Sequence, residues 1–176
     1  MINLRRLMTV ITGLLMMAAC VPTTIQSNRA EDYAQQPKRL FVITNIGTDF
    51  GSEYAEAFRG ALTRIAKACG AEVEMSFLVP LELDESIHEQ KRKAFNADTV
   101  LSVRRAGGTR DAYGLLNVIY DARLINLTTN KTVWRSSMTF HRNRFVAIEK
   151  RGETLAVDLT NKMKDDRIFG SCPRIE

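Results

Sequence analysis

The chain has 176 residues, 45% of them hydrophobic and 26% charged, with four Pro and ten Gly. That length suits about one domain of ~150 residues, and the composition excludes collagen-like, coiled-coil and mainly disordered chains. Formal charge is +5, a mild basic excess.

The first segment reads as an address. Arg5 and Arg6 precede thirteen uncharged residues, 7–19, which end in the small pair Ala18 and Ala19; charged, apolar and small-residue regions in that order define a signal peptide over 1–19. As a helix those thirteen residues span about 20 Å, short of a ~30 Å hydrocarbon core. Residues 20–37 are polar, bracketed by Pro22 and Pro37, and periodic in neither sense. They are expected to form a flexible tether; the alternative is an extended arm packed on the domain.

The body, 38–176, begins with the apolar run 40–43, which suits a strand buried on both faces. Gly47 and Gly51 then lead into a helix over 52–69, where Tyr54, Phe58, Leu62, Ile65 and Cys69 form one stripe, and Gly70 ends it. Ala71, Val73, Met75 and Phe77 alternate with polar residues as in a strand with one wet face. Asp84 is placed to cap a short basic helix over 85–95 with Ile87, Ala94 and Phe95 inward. Residues 99–104 predict a strand, 106–114 a flexible loop, 115–127 a long strand, 128–131 a turn and 132–142 a last strand with Trp134, Met138 and Phe140 on one face. A helix over 149–166 follows, with Leu155, Leu159 and Met163 at steps of four. The order β-α-β-α-β-β-β-α predicts a single α+β domain, a mainly antiparallel sheet with helices packed on it.

Catalytic and metal motifs are sparse. His88 and His141 are the two histidines; a zincin needs a second His one turn after His88, and none is there. No Gly-x-Ser-x-Gly elbow exposes a serine, and His88 is expected at the surface. The loop 47–52 follows a strand and opens a helix, but it lacks the P-loop lysine and carries Asp49 where a phosphate would sit, so an ordinary turn is expected. The chain calls for no cofactor and no metal.

The segment Met17-Ala18-Ala19-Cys20 resembles the lipobox of bacterial lipoproteins, with Met17 where the family prefers Leu. In that family the cysteine thiol is diacylglycerated, the signal peptide is cut before it, and the new amino terminus is acylated, commonly with palmitate. The resemblance implies lipidation at Cys20 and membrane attachment through that lipid, since two or three acyl chains anchor stably; an ordinary secretory signal followed by a cysteine is the alternative. Val21 stands where an inner-membrane retention Asp would, so the outer membrane, periplasmic face, is expected, with the inner membrane as the other choice. With Cys20 lipidated, Cys69 and Cys172 remain as a pair in an oxidising compartment, which favours a disulfide; alternatively Cys69 is a small buried hydrophobe.

Cleavage after residue 19 removes Arg5 and Arg6 and leaves 23 basic and 20 acidic residues, net +3. Clusters fall at Lys91, Arg92 and Lys93, at Arg104, Arg105 and Arg110, and at Arg142, Arg144, Lys150 and Arg151. An exported protein without aromatic interleaving is a poor nucleic-acid binder. Anionic lipid or an acidic partner fits better, as does a plain solvated face.

The segment Asn96-Ala97-Asp98-Thr99-Val100-Leu101, the strand Asp121-Ala122-Arg123-Leu124 and the hairpin Asn130-Lys131-Thr132-Val133-Trp134 resemble a pattern in periplasmic accessory lipoproteins. It is similar to the curli-secretion-channel lipoprotein, the lipoprotein activators of penicillin-binding proteins and the amino-terminal domain of the Tol-Pal translocation protein, over about residues 38–165. The resemblance implies a non-catalytic binding or accessory component of a cell-envelope assembly with an envelope protein as partner. Arg104, Arg105 and Arg110, flanking the 106–114 loop, are the candidate contact residues. A carrier of a small or lipidic ligand and an envelope hydrolase are the other readings.

Overall fold

A computed structural model describes residues 23–48, 50–112, 114–141, 146–170 and 172–174. The lipobox with Cys20, Asp49, and Arg142 and Arg144 lie outside the described residues. Six strands form one sheet: β1 (Thr24–Arg29), β2 (Arg39–Thr44), β3 (Glu72–Phe77), β4 (Thr99–Asp111), β5 (Gly114–Asn126) and β6 (Lys131–His141). Among the described residues three helices accompany them: α1 (Ser52–Ala68), α2 (Ser86–Ala94) and α3 (Ile148–Asp165). The spatial order is β1-β6-β5-β4-β2-β3. The contacts from β1 to β4 are antiparallel, whereas β2 runs parallel to both its neighbours. The expected α+β domain is therefore present from β2 onward in the expected element order, with one strand added at its start.

Alternation divides the sheet into two faces. Leu40, Val42, Leu101, Val103, Tyr120, Leu124, Trp134 and Met138 point to one face and are buried there beneath α1 and α3. The α1 stripe is as predicted: Tyr54, Phe58, Leu62 and Ile65 are buried, and Leu155, Leu159 and Met163 of α3 meet them. Gly51 (φ 87°) and Gly70 (φ 78°) occupy left-handed backbone at the two ends of α1, a conformation that costs a Cβ-bearing residue energy. On the other face, among the described residues, α2 packs against β3.

Residues 24–29, expected in the flexible tether, are instead a strand paired along β6 from Thr24↔Thr139 to Arg29↔Trp134. The sequence TIQSNR offers one apolar residue, so hydrophobic pattern could not reveal it. The backbone ladder to β6 holds it, and a side-chain hydrogen bond from Ser27 ties it to the residue after α3. Asp166 accepts from Ser27 Oγ at 2.5 Å, Trp134 Nε1 at 2.7 Å and Lys162 Nζ at 2.9 Å. The expected loop 106–114 is also strand: β4 continues to Asp111 against β5, with register shifts between Arg105 and Gly107 and between Thr109 and Arg110 that absorb its glycines.

Asp166 yields a testable pH dependence. Burial alone would raise its pKa, but the bonds from Ser27, Trp134 and Lys162 outweigh this and hold the carboxyl below its ordinary value. A depressed carboxylate contributes stability above the unfolded pKa, and that stability is lost as pH falls through the folded one. Asp166→Ala should cost about 1–3 kcal/mol at pH 7, because it strips the buried indole N–H of its acceptor. Below the unfolded pKa of ~3.9 the difference from the parent should shrink progressively as pH falls toward the depressed folded value, so that it is smaller at about pH 3 than at pH 7. Urea titrations at the two pH values measure it; an equal loss at both would refute the assignment.

Among the described residues, no helix is long and apolar enough to cross a membrane, and no group of three or more His, Cys, Asp or Glu side chains could hold a metal ion.

Candidate functional site

The second sheet face is only partly covered. By register Phe41, Ile43, Val100 and Ile125 line up across β2, β4 and β5 on it, with α2 and the β3–α2 segment rising along one side. Between them lies an open groove of about 760 Å³. Its floor is those four apolar side chains; Glu82, Glu85 and His88 stand in its wall, and Arg104 on its rim. Continuous burial on both faces was the expectation for β2, and Phe41 meets it at 1% exposed, while Ile43 is half-buried under the groove.

His88 overturns its expected surface position. It is the buried residue of α2, at 6% exposed, whereas Ile87, expected inward, is 39% exposed, Ala94 is exposed and Phe95 half-buried. The capping expectation also changes: Asp84 Oδ1 accepts the Ser86 N–H at 2.9 Å, a turn just ahead of the helix, and the cap position is Glu85. The imidazole is held from both sides, Nε2 lying 2.7 Å from Glu82 Oε2 and Nδ1 2.8 Å from Ser76 Oγ. A carboxylate only accepts, so in the neutral ring Nε2 carries the proton to Glu82 and Nδ1 accepts from Ser76. This Ser–His–Glu chain is the arrangement closest to a hydrolytic one among the described residues. Ser76 is 2% exposed near the end of β3 beneath α2, and a nucleophile must reach its substrate. The three groups therefore satisfy one another and pin α2 to the sheet.

Beyond the groove the same face carries exposed side chains among the described residues. Arg123 on β5 and Arg135 on β6 are directly opposed, and both are exposed. Like charges opposed across a pair of strands are unfavourable. Asn28 of β1 adjoins Arg135.

The predicted contact arginines are divided by the structure. Arg104 stands on the groove face, opposite Asp121. The Arg105 N–H donates to Asn45 Oδ1 at 2.9 Å and its Nε to the Gly107 carbonyl, so it secures the start of the hairpin extension. Arg110 is exposed near the hairpin tip. The 47–52 loop is an ordinary turn in its described residues, the Gly51 N–H donating to the Gly47 carbonyl at 2.8 Å. Cys69 and Cys172, the candidate disulfide, are bonded.

Missed by sequence reasoning were the groove and the Arg123–Arg135 pair. Their signal exists, since alternate strand positions carry them, but it needs the strand register to be seen.

These features define an α+β domain whose single mixed sheet, among the described residues, is helix-covered on one face and largely open on the other. No family model matches this sequence, and no curated protein matches it. Solved structures of similar fold include PelC from Paraburkholderia phytofirmans, a dodecamer in two crystal forms. One aligns with a TM-score of 0.53 at 16% identity, covering 79% of this chain and 96% of PelC; the other gives 0.51, again at 16% identity, covering 78% and 94%. Lipoprotein GNA1162 from Neisseria meningitidis aligns with a TM-score of 0.42 at 15% identity, covering 73% of this chain and 98% of that one.

Proposed function

We propose that this protein is a lipid-anchored, non-catalytic binding component of a cell-envelope assembly, attached through Cys20 at the periplasmic face of the outer membrane, and that its partner-binding surface is the open sheet face. The observation that carries the reading is the opposed pair Arg123 and Arg135. Their repulsion is relieved when a partner brings acidic groups to them.

Acidic groups of that kind are present on the same face of the chain, at the other side of the groove: Glu74 of β3 and Glu85 before α2 are both exposed. A second copy, placed with this acidic side against the arginines of the first, makes a head-to-tail contact, the type that closes into rings. PelC, alike in fold, was crystallised as a dodecamer, which supports a self-associating reading. The burial of Ser76 and the engagement of both His88 nitrogens support a binding role over a hydrolytic one.

The test is the molar mass of the acylated full chain in mild detergent, by light scattering. A multiple of the chain mass is expected, falling to the monomer in the double variant Arg123→Glu with Arg135→Glu while the circular dichroism stays unchanged. A monomeric parent, or a variant that assembles as the parent does, would sink the proposal. The groove favours a second reading, carriage of a small or lipidic ligand, since its volume lies in the range of ligand sites and its floor is apolar. Native mass spectrometry showing a retained ligand would support that alternative.

A further inference from the structure

Among the described residues β1 and β3 are the outermost strands of the sheet, six residues each. Backbone groups alternate in direction along a strand, so the bonds made inward fix which residues face out. The Glu72 N–H donates to the Lys38 carbonyl at 2.8 Å and the Leu78 N–H to the Thr44 carbonyl at 2.7 Å. Glu72, Glu74 and Ser76 therefore face β2, and Val73, Met75 and Phe77 turn their N–H and C=O groups outward. In β1 the Ala30 N–H donates to the Val133 carbonyl at 2.9 Å. Thr24, Gln26 and Asn28 accordingly face β6, and Ile25, Ser27 and Arg29 present their backbone groups outward. Neither strand contains the proline or bulge with which proteins blunt a sheet edge.

The two edges match in face, direction and charge. Their outward residues send side chains to the helix-covered face: Met75 belongs to the core there, Val73, Phe77 and Ile25 pack against it, and Ser27 bonds Asp166. Opposed residues of an antiparallel pair share a face, so joining the edges continues the sheet with helices on the same side. β1 is antiparallel to β6, and tracing through β5, β4 and β2 leaves it antiparallel to β3. A second copy set beside the first in the same orientation thus brings its β3 antiparallel to β1. Pairing Ile25, Ser27 and Arg29 with its Phe77, Met75 and Val73 places Asn28 opposite its Glu74. Asn28 adjoins Arg135, which opposes Arg123, so an acid enters the row that holds the two arginines. Pairing β3 with β3 would instead crowd Glu72 and Glu74 of both copies together. Pairing β1 with β1 is isologous and reverses one copy end for end, sending the chain starts at Thr24 opposite ways.

We propose that copies of this chain associate edge to edge, β1 of one pairing antiparallel with β3 of the next in that register. The inference rests on self-association and adds the strand pairing that produces it. Backbone bonds supply the affinity, as in other strand additions to a free edge, and Glu74 beside the arginine row selects the partner edge.

The experiment is a covalent trap in the full acylated chain in mild detergent. Asn28→Cys with Glu74→Cys puts cysteines on a directly opposed, non-hydrogen-bonded pair, about 4.5 Å apart at Cα and within disulfide reach. Within one copy the two positions stand five strand spacings apart, about 24 Å, so they cannot bond internally. Cys69 and Cys172 are already joined. Gentle oxidation should convert the double variant into a ladder of dimers, trimers and higher multimers on a non-reducing gel, and leave each single variant monomeric. Gln26→Cys in place of Asn28→Cys moves the thiol to a diagonal position, about 7–8 Å away, and should give little ladder. No ladder from the double variant of a parent that assembles, dimers from either single variant, or equal ladders in the two registers overturns the edge pairing and leaves self-association standing. A parent that is monomeric by light scattering overturns both.

Discussion

Replacing Gly152 with alanine should destabilise the domain by about 1–2 kcal/mol, and with valine by more than ~3 kcal/mol, although both add a better helix former than glycine. Gly152 is buried in the first half of α3, where it crosses α1. A Cβ there would stand 2.4 Å from the Tyr54 carbonyl oxygen, 3.1 Å from Ala57 Cβ and 3.1 Å from the Phe58 nitrogen. Two of these three atoms are helix backbone and cannot rotate aside, so the helices must separate. A gap of 0.5–1 Å forfeits about a quarter to a half of each dispersion contact, and Leu155, Leu159, Phe58 and Leu62 all lie along this seam at 0% exposure. Against that, alanine gains only ~0.5–1 kcal/mol of helix propensity. Gly60 is the control: it lies mid-helix in α1, exposed, with nothing within 4 Å of a built Cβ. Gly60→Ala should raise stability by that same ~0.5–1 kcal/mol. At roughly 2–4 °C per kcal/mol for a chain of this size, thermal melts should move in opposite directions for the two alanine variants. A parent-like melt for Gly152→Ala would mean that α1 and α3 do not cross there.

The reason Gly152 could not be singled out in the sequence applies more widely. Periodicity located α1, α3, β2 and the β5–β6 hairpin because each buries a regular set of its own side chains, such as Tyr54, Phe58, Leu62 and Ile65. It fails where a distant residue decides. β1 is held by its pairing with β6 and by Asp166, 139 positions from Ser27. His88 turns inward because Ser76 and Glu82 supply partners for both ring nitrogens, and the apolar content of α2 is too small to orient it otherwise. The stretch 106–114 looked like a loop from its glycines, yet the opposing β5 backbone and two register shifts make it strand. For the candidate site, its individual residues were readable as strand positions, but the groove arises only when β2 inserts parallel between β3 and β4. That choice depends on which strands meet after the α1 and α2 crossovers, which no local pattern encodes.

Breaking the Cys69–Cys172 bond should have the other large effect, about 2–4 kcal/mol. The bond joins residues 103 positions apart. On the chain-entropy model, closing a loop of about 100 residues removes ~4.7 kcal/mol worth of freedom from the unfolded chain, and engineered and natural bonds often deliver less. The folded state gives a reason to expect most of it here. The segment after α3 is packed without help from the bond, with Ile168 and Phe169 at 0% and 1% exposed and the Ile168 N–H donating to the Met163 carbonyl at 2.8 Å. Reduction therefore leaves the folded state much as it is, and the effect falls mainly on the unfolded ensemble, which becomes free to expand. Two measurements separate this from loss of packing. The double variant Cys69→Ala with Cys172→Ala should melt ~5–15 °C below the oxidised parent, and the parent in reductant should melt close to the variant. The urea m-value should rise in the variant, because a chain without the cross-link exposes more surface on unfolding. A lowered melting temperature with an unchanged m-value would place the loss in the folded state, at the cavity left by the Cys69 sulfur. A melt indifferent to reductant, with two free thiols found by mass, would show that the bond contributes nothing.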